Sequence, residues 1–203
     1  FVTTDSQDNQ ITAFNLGAMK YECDFNEDSM DFSDIIAIIA PGNIQDMVRL
    51  SKIYYEKDVY SIFDPSQSLP VWAKDDLITA IRQNDVTISN LYELSLIESI
   101  TELRKEDIIE LAGTLITTKG DEGSEFFMTG NHSSINSVSV VDVVDPTGAG
   151  DSYRGGLLKG LMEGWTLDKS CKLGSIVASK AVASRGTQNY FITFEESCNC
   201  ISD

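Results

Sequence analysis

Six consecutive apolar residues, Ile35-Ile36-Ala37-Ile38-Ile39-Ala40, run without a polar break and stop at Pro41-Gly42-Asn43. A strand with one face in water would alternate apolar and polar residues, so the unbroken run predicts a strand covered on both faces. Apolar residues then recur at helical spacing at Ile44, Met47, Val48 and Ile53. The alternation repeats along the chain. A strand at Val59-Tyr60-Ser61-Ile62-Phe63 precedes a helix expected to start near Pro70, with Trp72, Leu77, Ile78 and Ile81 on one face. A strand at Val86-Thr87-Ile88-Ser89, a helix over residues 105–112 closed by Gly113, and strands at residues 115–120 and 124–128 follow. Successive strand and helix units predict an α/β layer structure with a largely parallel sheet, whose ligands gather beyond the carboxyl ends of the strands. Before this region, residues 2–4 and 10–14, separated by the polar turn 5–9, predict a hairpin.

At 203 residues and 42% hydrophobic content the chain is long enough for one globular domain with a sizeable core. Fifteen Lys plus Arg against thirty-two Asp plus Glu give a net charge of −17, which argues against nucleic-acid and anionic-membrane surfaces as partners. An anionic ligand must then be held by local N–H groups, a metal and a few basic residues. Cys23, Cys171, Cys198 and Cys200 are spaced as reduced thiols of a cytoplasmic protein. Cys198 and Cys200, with the single distant His132, fall short of the four ligands of a structural zinc site. His132 itself reads as part of an exposed polar loop over residues 129–134. No apolar run approaches the roughly 18 residues of a membrane span.

The chemistry concentrates in residues 140–156. Val140, Val141, Val143 and Val144 favour a strand, Pro146 ends it, and Leu157, Leu158, Leu161 and Met162 recur at helical spacing beyond Gly148 and Gly150. Free amides at a helix start, with the positive end of the helix dipole, suit a phosphate. Asp151 lies at that start and reads two ways: as a helix cap, or as an acid that accepts a hydroxyl proton beside a pocket of N–H donors. Tyr153 stands where a dinucleotide fingerprint needs glycine, and no Gly-Lys-Ser/Thr follows as a Walker loop requires. Asn90 and Glu93 carry the same ambiguity between a capping pair and a site motif. Asp121-Glu122-Gly123 reads as a hairpin turn, and Lys119 as a solvated lysine. A helix over residues 167–184, rich in Gly, Ala and Ser, is expected to pack closely on the helix that contains Gly155 and Gly156.

Asp145-Pro146-Thr147-Gly148-Ala149-Gly150-Asp151, followed by Ser152-Tyr153-Arg154-Gly155-Gly156, resembles the C-terminal signature of the ribokinase-like (PfkB) family of sugar and nucleoside kinases, above all its bacterial adenosine-kinase-like branch. Asn90-x-x-Glu93, Thr118-x-Gly120-x-x-Gly123 and residues 185–190 are similar to further motifs of that family, which often has an apolar residue in place of Lys119. The resemblance implies a three-layer α/β fold with a mostly parallel central sheet. Residues 1–18 would be a remnant of the lid and residues 19–203 the nucleotide-binding domain, with the N-terminal part and most of the lid belonging before Phe1. It implies transfer of the ATP γ-phosphoryl group to a hydroxymethyl group of a nucleoside or sugar. Asp151 would be the base; Gly148, Ala149 and Gly150 the anion hole; and Asn90, Thr118, Gly120 and Gly123 the ATP contacts. Glu93 would hold Mg²⁺ through water, and Asp145 would help bind a monovalent cation, K⁺. Family lids also form dimer contacts, so a homodimer through the lid is a further implication. A nucleotide-binding or interaction module without catalysis is the alternative, and the acceptor stays open among adenosine, another nucleoside and a sugar.

Overall fold

The computed structural model describes residues 2–4, 10–12, 15–24 and 26–202. Strands β1 (Val2–Thr4) and β2 (Gln10–Thr12) pair antiparallel with Val2 opposite Thr12. This is the expected hairpin; its turn, residues 5–9, and its last residues, Ala13 and Phe14, lie outside the described residues.

The main body follows as β3 (Ala37–Ile39), α1 (Ile44–Glu56), β4 (Ser61–Phe63), α2 (Lys74–Gln83), β5 (Val86–Asn90), α3 (Leu91–Thr101), α4 (Lys105–Ala112), β6 (Thr114–Thr118), β7 (Ser124–Met128), β8 (Asn131–Ile135), α5 (Ala149–Met162), α6 (Leu167–Val182) and α7 (Phe194–Ser202). A six-stranded sheet runs in the order β3-β4-β5-β6-β7-β8. Its first four strands are parallel, and β7 and β8 return antiparallel. The register sets Asn90 beside Thr118, so both strands deliver a polar side chain to the same carboxyl edge.

Neighbouring residues on a strand point to opposite faces, and here both faces are covered. Phe63 and Leu115 pack with Leu77, Ile81, Ile97 and Ile108 under α1 to α4. Their immediate neighbours Ile62 and Ile116 pack with Ile88, Tyr153, Leu157 and Cys171 under α5 and α6. Ile62, Phe63, Leu115 and Ile116 are all fully buried, each worth about 1.5–3 kcal/mol relative to exposure. The result is three layers, helices on either side of a mostly parallel sheet, as the alternation predicts.

Local signals explain where the elements start and stop. The Asn43 side chain accepts the Gln45 and Asp46 amides at 2.9 and 3.3 Å, satisfying two of the orphan donors of α1. Between β6 and β7 a short 3₁₀ turn, Gly120–Glu122, ends at Gly123, whose φ of +88° is a conformation that favours glycine. A Cβ there would fall 2.1 Å from the Ile135 carbonyl oxygen. The contact between α5 and α6 is backbone on backbone: a Cβ at Gly156 would lie 2.8 Å from the Gly174 Cα, and one at Gly160 2.8 Å from the Ser170 Cα.

Three expectations need correction. The valines at 140–144 form no strand. Their backbone is engaged elsewhere: the Val144 and Asp145 amides donate to the Val182 carbonyl at the end of α6, at 2.8 and 3.1 Å. Pro70 does not open a long helix; it lies inside a 3₁₀ turn, Ser66–Val71, and α2 begins later at Lys74, with Asp75 and Asp76 in its first turn. His132 is a strand residue of β8, its ring stacked on Phe127 with centroids 4.2 Å apart.

Candidate active site

Asn90 ends β5 and caps α3, and the capping pair is complete: its side-chain oxygen accepts the Glu93 amide at 2.8 Å, while a Glu93 carboxylate oxygen accepts the Asn90 amide at 2.8 Å. The second Glu93 oxygen accepts the Ser66 hydroxyl at 3.0 Å. This fixes the carboxylate across the carboxyl ends of β4 and β5. Thr118 ends β6 beside it.

The turn into α5 faces these strand ends. Gly148 is the N-cap at φ +82°, packed so closely on the returning loop that a Cβ would lie 3.1 Å from the Thr187 Cβ. The Ala149 amide closes a turn onto the Pro146 carbonyl at 3.2 Å, and the Ser152 amide donates to Gly148 O at 2.9 Å. Among the described residues the amides of Gly148, Gly150 and Asp151 have no hydrogen-bond partner, which leaves them as donors for an anion at the positive end of a 14-residue helix. Asp145 ties the turn down: its two oxygens accept the Thr147 and Gly186 amides at 3.0 and 2.9 Å. Those bonds, Thr147's first, hold its carboxyl below the usual value.

Asp151 makes no capping bond; its side chain is 78% exposed and one oxygen is engaged by Arg154. The cap reading of Asp151 therefore gives way. Arg154 also reaches Asp64 at the end of β4, with Nη1 at 2.9 Å from Oδ2. Asp64 is fully buried, and neither of its oxygens has a well-aligned donor, so the contact is an ion pair rather than a directed hydrogen bond. Burial pushes the Asp64 carboxyl up to about 7; Arg154 opposes the rise, and the charges of Glu93 and Asp151 add to it.

These elements enclose a cavity of about 360 Å³ lined by Asn90, Glu93, Thr118, Gly148, Gly150 and Asp151 among others, a size within the range of small-molecule sites. Ala149 and Arg154 also line it, as does Ser89, whose buried hydroxyl has no partner. Gly120 and Gly123 lie outside the lining and shape the β6–β7 hairpin. Lys119 is neither a free cation nor solvated: it is 20% exposed and pairs with Glu125 at 3.3 Å. Among the described residues no group of three or more His, Cys, Asp or Glu side chains is placed to hold a metal. Two carboxylates, Glu93 and Asp151, line the cavity against one cation, Arg154, which is also paired with the buried Asp64. That excess fits a divalent cation that keeps much of its water shell, as Mg²⁺ does.

The family model described as pfkB family carbohydrate kinase matches residues 1–193. The chain belongs to this family. Among pfkB relatives, a nucleoside kinase of Methanocaldococcus jannaschii is 32% identical over 196 residues, covering 97% of this chain and 64% of its own length. Two solved structures of a Burkholderia thailandensis nucleoside kinase, one in complex with inosine and one with ADP-inosine, are each 30% identical with a TM-score of 0.88. Each comparison covers 99% of this chain, and 66% and 63% of those chains respectively. The chain thus spans about two thirds of the length of the pfkB relatives it matches.

In this pfkB chain the cavity residue Arg154 and its buried ion-pair partner Asp64 carry no role in the sequence reading. Asp64 follows β4 in Asp64-Pro65-Ser66, which reads as a strand-ending turn, and Arg154 reads as one more residue of the signature. The available signal was helical spacing: Asp151 and Arg154 are three apart on α5 and so share a face.

Proposed function

We propose that the whole protein is an ATP-dependent nucleoside kinase, transferring the γ-phosphoryl group to a hydroxymethyl oxygen of its acceptor. The observation that carries this reading is the convergence of an exposed carboxylate, Asp151, with unpartnered α5 amides and with Asn90, Glu93 and Thr118 on one cavity. The relatives named as nucleoside kinases support a nucleoside over a sugar as acceptor. On this reading residues 1–18 belong to a lid and residues 19–203 to the nucleotide-binding domain.

The Gly148 and Gly150 amides, with the Asp151 amide, hold the transferring phosphoryl oxygens and neutralise charge as it develops, each such donor being worth roughly 2.7–4 kcal/mol. The free oxygen of Asp151 takes the acceptor's hydroxyl proton. The acceptor oxygen then bonds to the γ-phosphorus as the bond from that phosphorus to the β-phosphate oxygen breaks, and ADP leaves with the electron pair. Asn90 and Thr118 border the cavity where the phosphates would lie. Mg²⁺, when bound, would supply charge neutralisation for the phosphates. Glu93, held by Ser66 and the Asn90 amide, would orient its water shell, and Asp145 with nearby carbonyls would hold a monovalent cation such as K⁺.

The test is Asp151→Asn in the complete protein, assayed by single-turnover phosphorylation of adenosine, inosine, ribose and fructose, with ATP affinity measured by titration calorimetry. A positioned base contributes about 10²–10⁴ in rate, so turnover should fall by that factor while nucleotide affinity stays similar. Unchanged turnover removes Asp151 from the mechanism. Binding without turnover on every acceptor by the unaltered protein establishes the non-catalytic module instead.

A further inference from the structure

Arg154 lines the cavity with its side chain only 16% exposed, where that of Asp151 is 78% exposed. Its guanidinium meets carboxylates from two separate elements: Asp64, at the end of β4 and fully buried, and Asp151, one turn earlier on α5. The guanidinium passes close to the helix start, where a Cβ on Gly150 would lie 3.3 Å from Nη1. Among the described residues the second oxygen of Asp151 has no partner. The planar guanidinium fork hydrogen-bonds Asp151 on one side and ion-pairs with Asp64 on the other, a rigid link that a lysine ammonium on a flexible stem does not provide. An exposed aspartate at a helix start would otherwise exchange among staggered rotamers.

Resting on the kinase reading above, we propose that Arg154 is a positioning residue for Asp151. Asp64 anchors the guanidinium to the sheet, and the guanidinium holds one Asp151 oxygen so that the other is presented to the acceptor hydroxyl. Arg154 stays charged throughout, and the proton of the acceptor goes to the free Asp151 oxygen. Misplacing a reacting group by an ångström costs on the order of 10²-fold in rate, so the arrangement acts on turnover rather than on binding.

Arg154→Met keeps much of the side-chain length and removes the fork. In the complete protein it should lower kcat by about 10- to 100-fold while KM for the nucleoside changes far less. Arg154→Lys should recover only part of the loss. Millimolar guanidinium ion should restore turnover to Arg154→Ala, a rescue that a packing role would not show. A second readout needs no activity: melting shifts of Asp64→Asn and Asp151→Asn should be non-additive in the unaltered background and additive with Arg154→Met, because the fork is what couples them. If Arg154→Met turns over like the unaltered protein, or the melting shifts are additive in both backgrounds, the positioning role is overturned and the kinase reading stands. If the unaltered protein phosphorylates no acceptor, the kinase reading falls instead, and the melting cycle still decides whether the bridge exists.

Discussion

Gly155 and Gly156 are neighbours on α5, yet the same substitution at each should move stability in opposite directions. In a helix interior, alanine is favoured over glycine by about 0.8–1 kcal/mol. A Cβ at Gly155 meets nothing within 4 Å, so Gly155→Ala keeps that gain. A Cβ at Gly156 would lie 2.8 Å from the Gly174 Cα and the Leu173 carbonyl oxygen, and 2.9 Å from the Gly174 amide nitrogen. These are backbone atoms of α6 and cannot rotate away, so the two helices must separate. Overpacking of this kind costs about 1–3 kcal/mol, and against backbone atoms at this distance the upper part of that range applies, which outweighs the propensity gain and leaves a net loss of up to about 2 kcal/mol. In a domain of about this size each kcal/mol is worth about 2–4 °C in Tm. Gly155→Ala should therefore melt about 2–4 °C higher, and Gly156→Ala lower by a similar or larger amount, by calorimetry under identical buffer. Shifts of the same sign would show that the α5–α6 contact is not the tight backbone approach described, and would refute the reasoning.

Two further perturbations act on the fold beneath the site. The Asp64 carboxyl, raised to about 7 by burial, keeps its proton in the folded protein while the unfolded chain has lost it at 3.8. Its stabilising contribution is thus fully present below pH 3.8 and disappears as pH rises through about 7. Between pH 6 and pH 8 the unaltered protein should lose about 1 kcal/mol relative to Asp64→Asn, read as diverging Tm against pH; parallel curves would place the titration elsewhere. Gly123→Ala combines a φ of +88° with a Cβ 2.1 Å from the Ile135 carbonyl oxygen, so it should cost more than about 2 kcal/mol in denaturant titration, and a neutral result would refute the β6–β7–β8 packing.

The sheet was legible wherever a segment's own pattern coincided with its tertiary neighbour. Residues 86–89 read as a strand from the β-branched Val86, Thr87 and Ile88, and the structure extends it to Asn90, which with Glu93 reads as a cap because every partner lies within four positions. Residues 105–112 are a helix closed by Gly113 in both sequence and structure. The valines at 140–144 show the limit of that approach. β-branching favours extended backbone, but whether a strand forms depends on which hydrogen-bond partners the tertiary fold offers. The amides of Val144 and Asp145 found the end of α6 instead, an acceptor almost forty residues away that no local pattern announces. Lys119 was misread for the same reason, since Glu125 reaches it only once β6 and β7 pair.

The same distinction separates the two halves of the site. Gly148, Gly150 and Asp151 are contiguous, so their chemistry is written in one stretch. Asp64 and Arg154 are ninety positions apart and meet only because β4 and the start of α5 open onto one sheet edge. Their meeting also bears on how a chain of net charge −17 can serve an anionic ligand. Charges beyond roughly 8 Å are screened at physiological ionic strength, so the distant surface acidity matters little at the cavity. What matters there is local: Asp64, Glu93 and Asp151 against Arg154, with amide donors at the helix start. Arg154 is engaged by two carboxylates, so on the proposed kinase reading phosphate binding would rest on the amides and on a divalent cation offsetting Glu93. On that reading the arginine would hold the base, and phosphate capture would fall to backbone groups that cannot titrate.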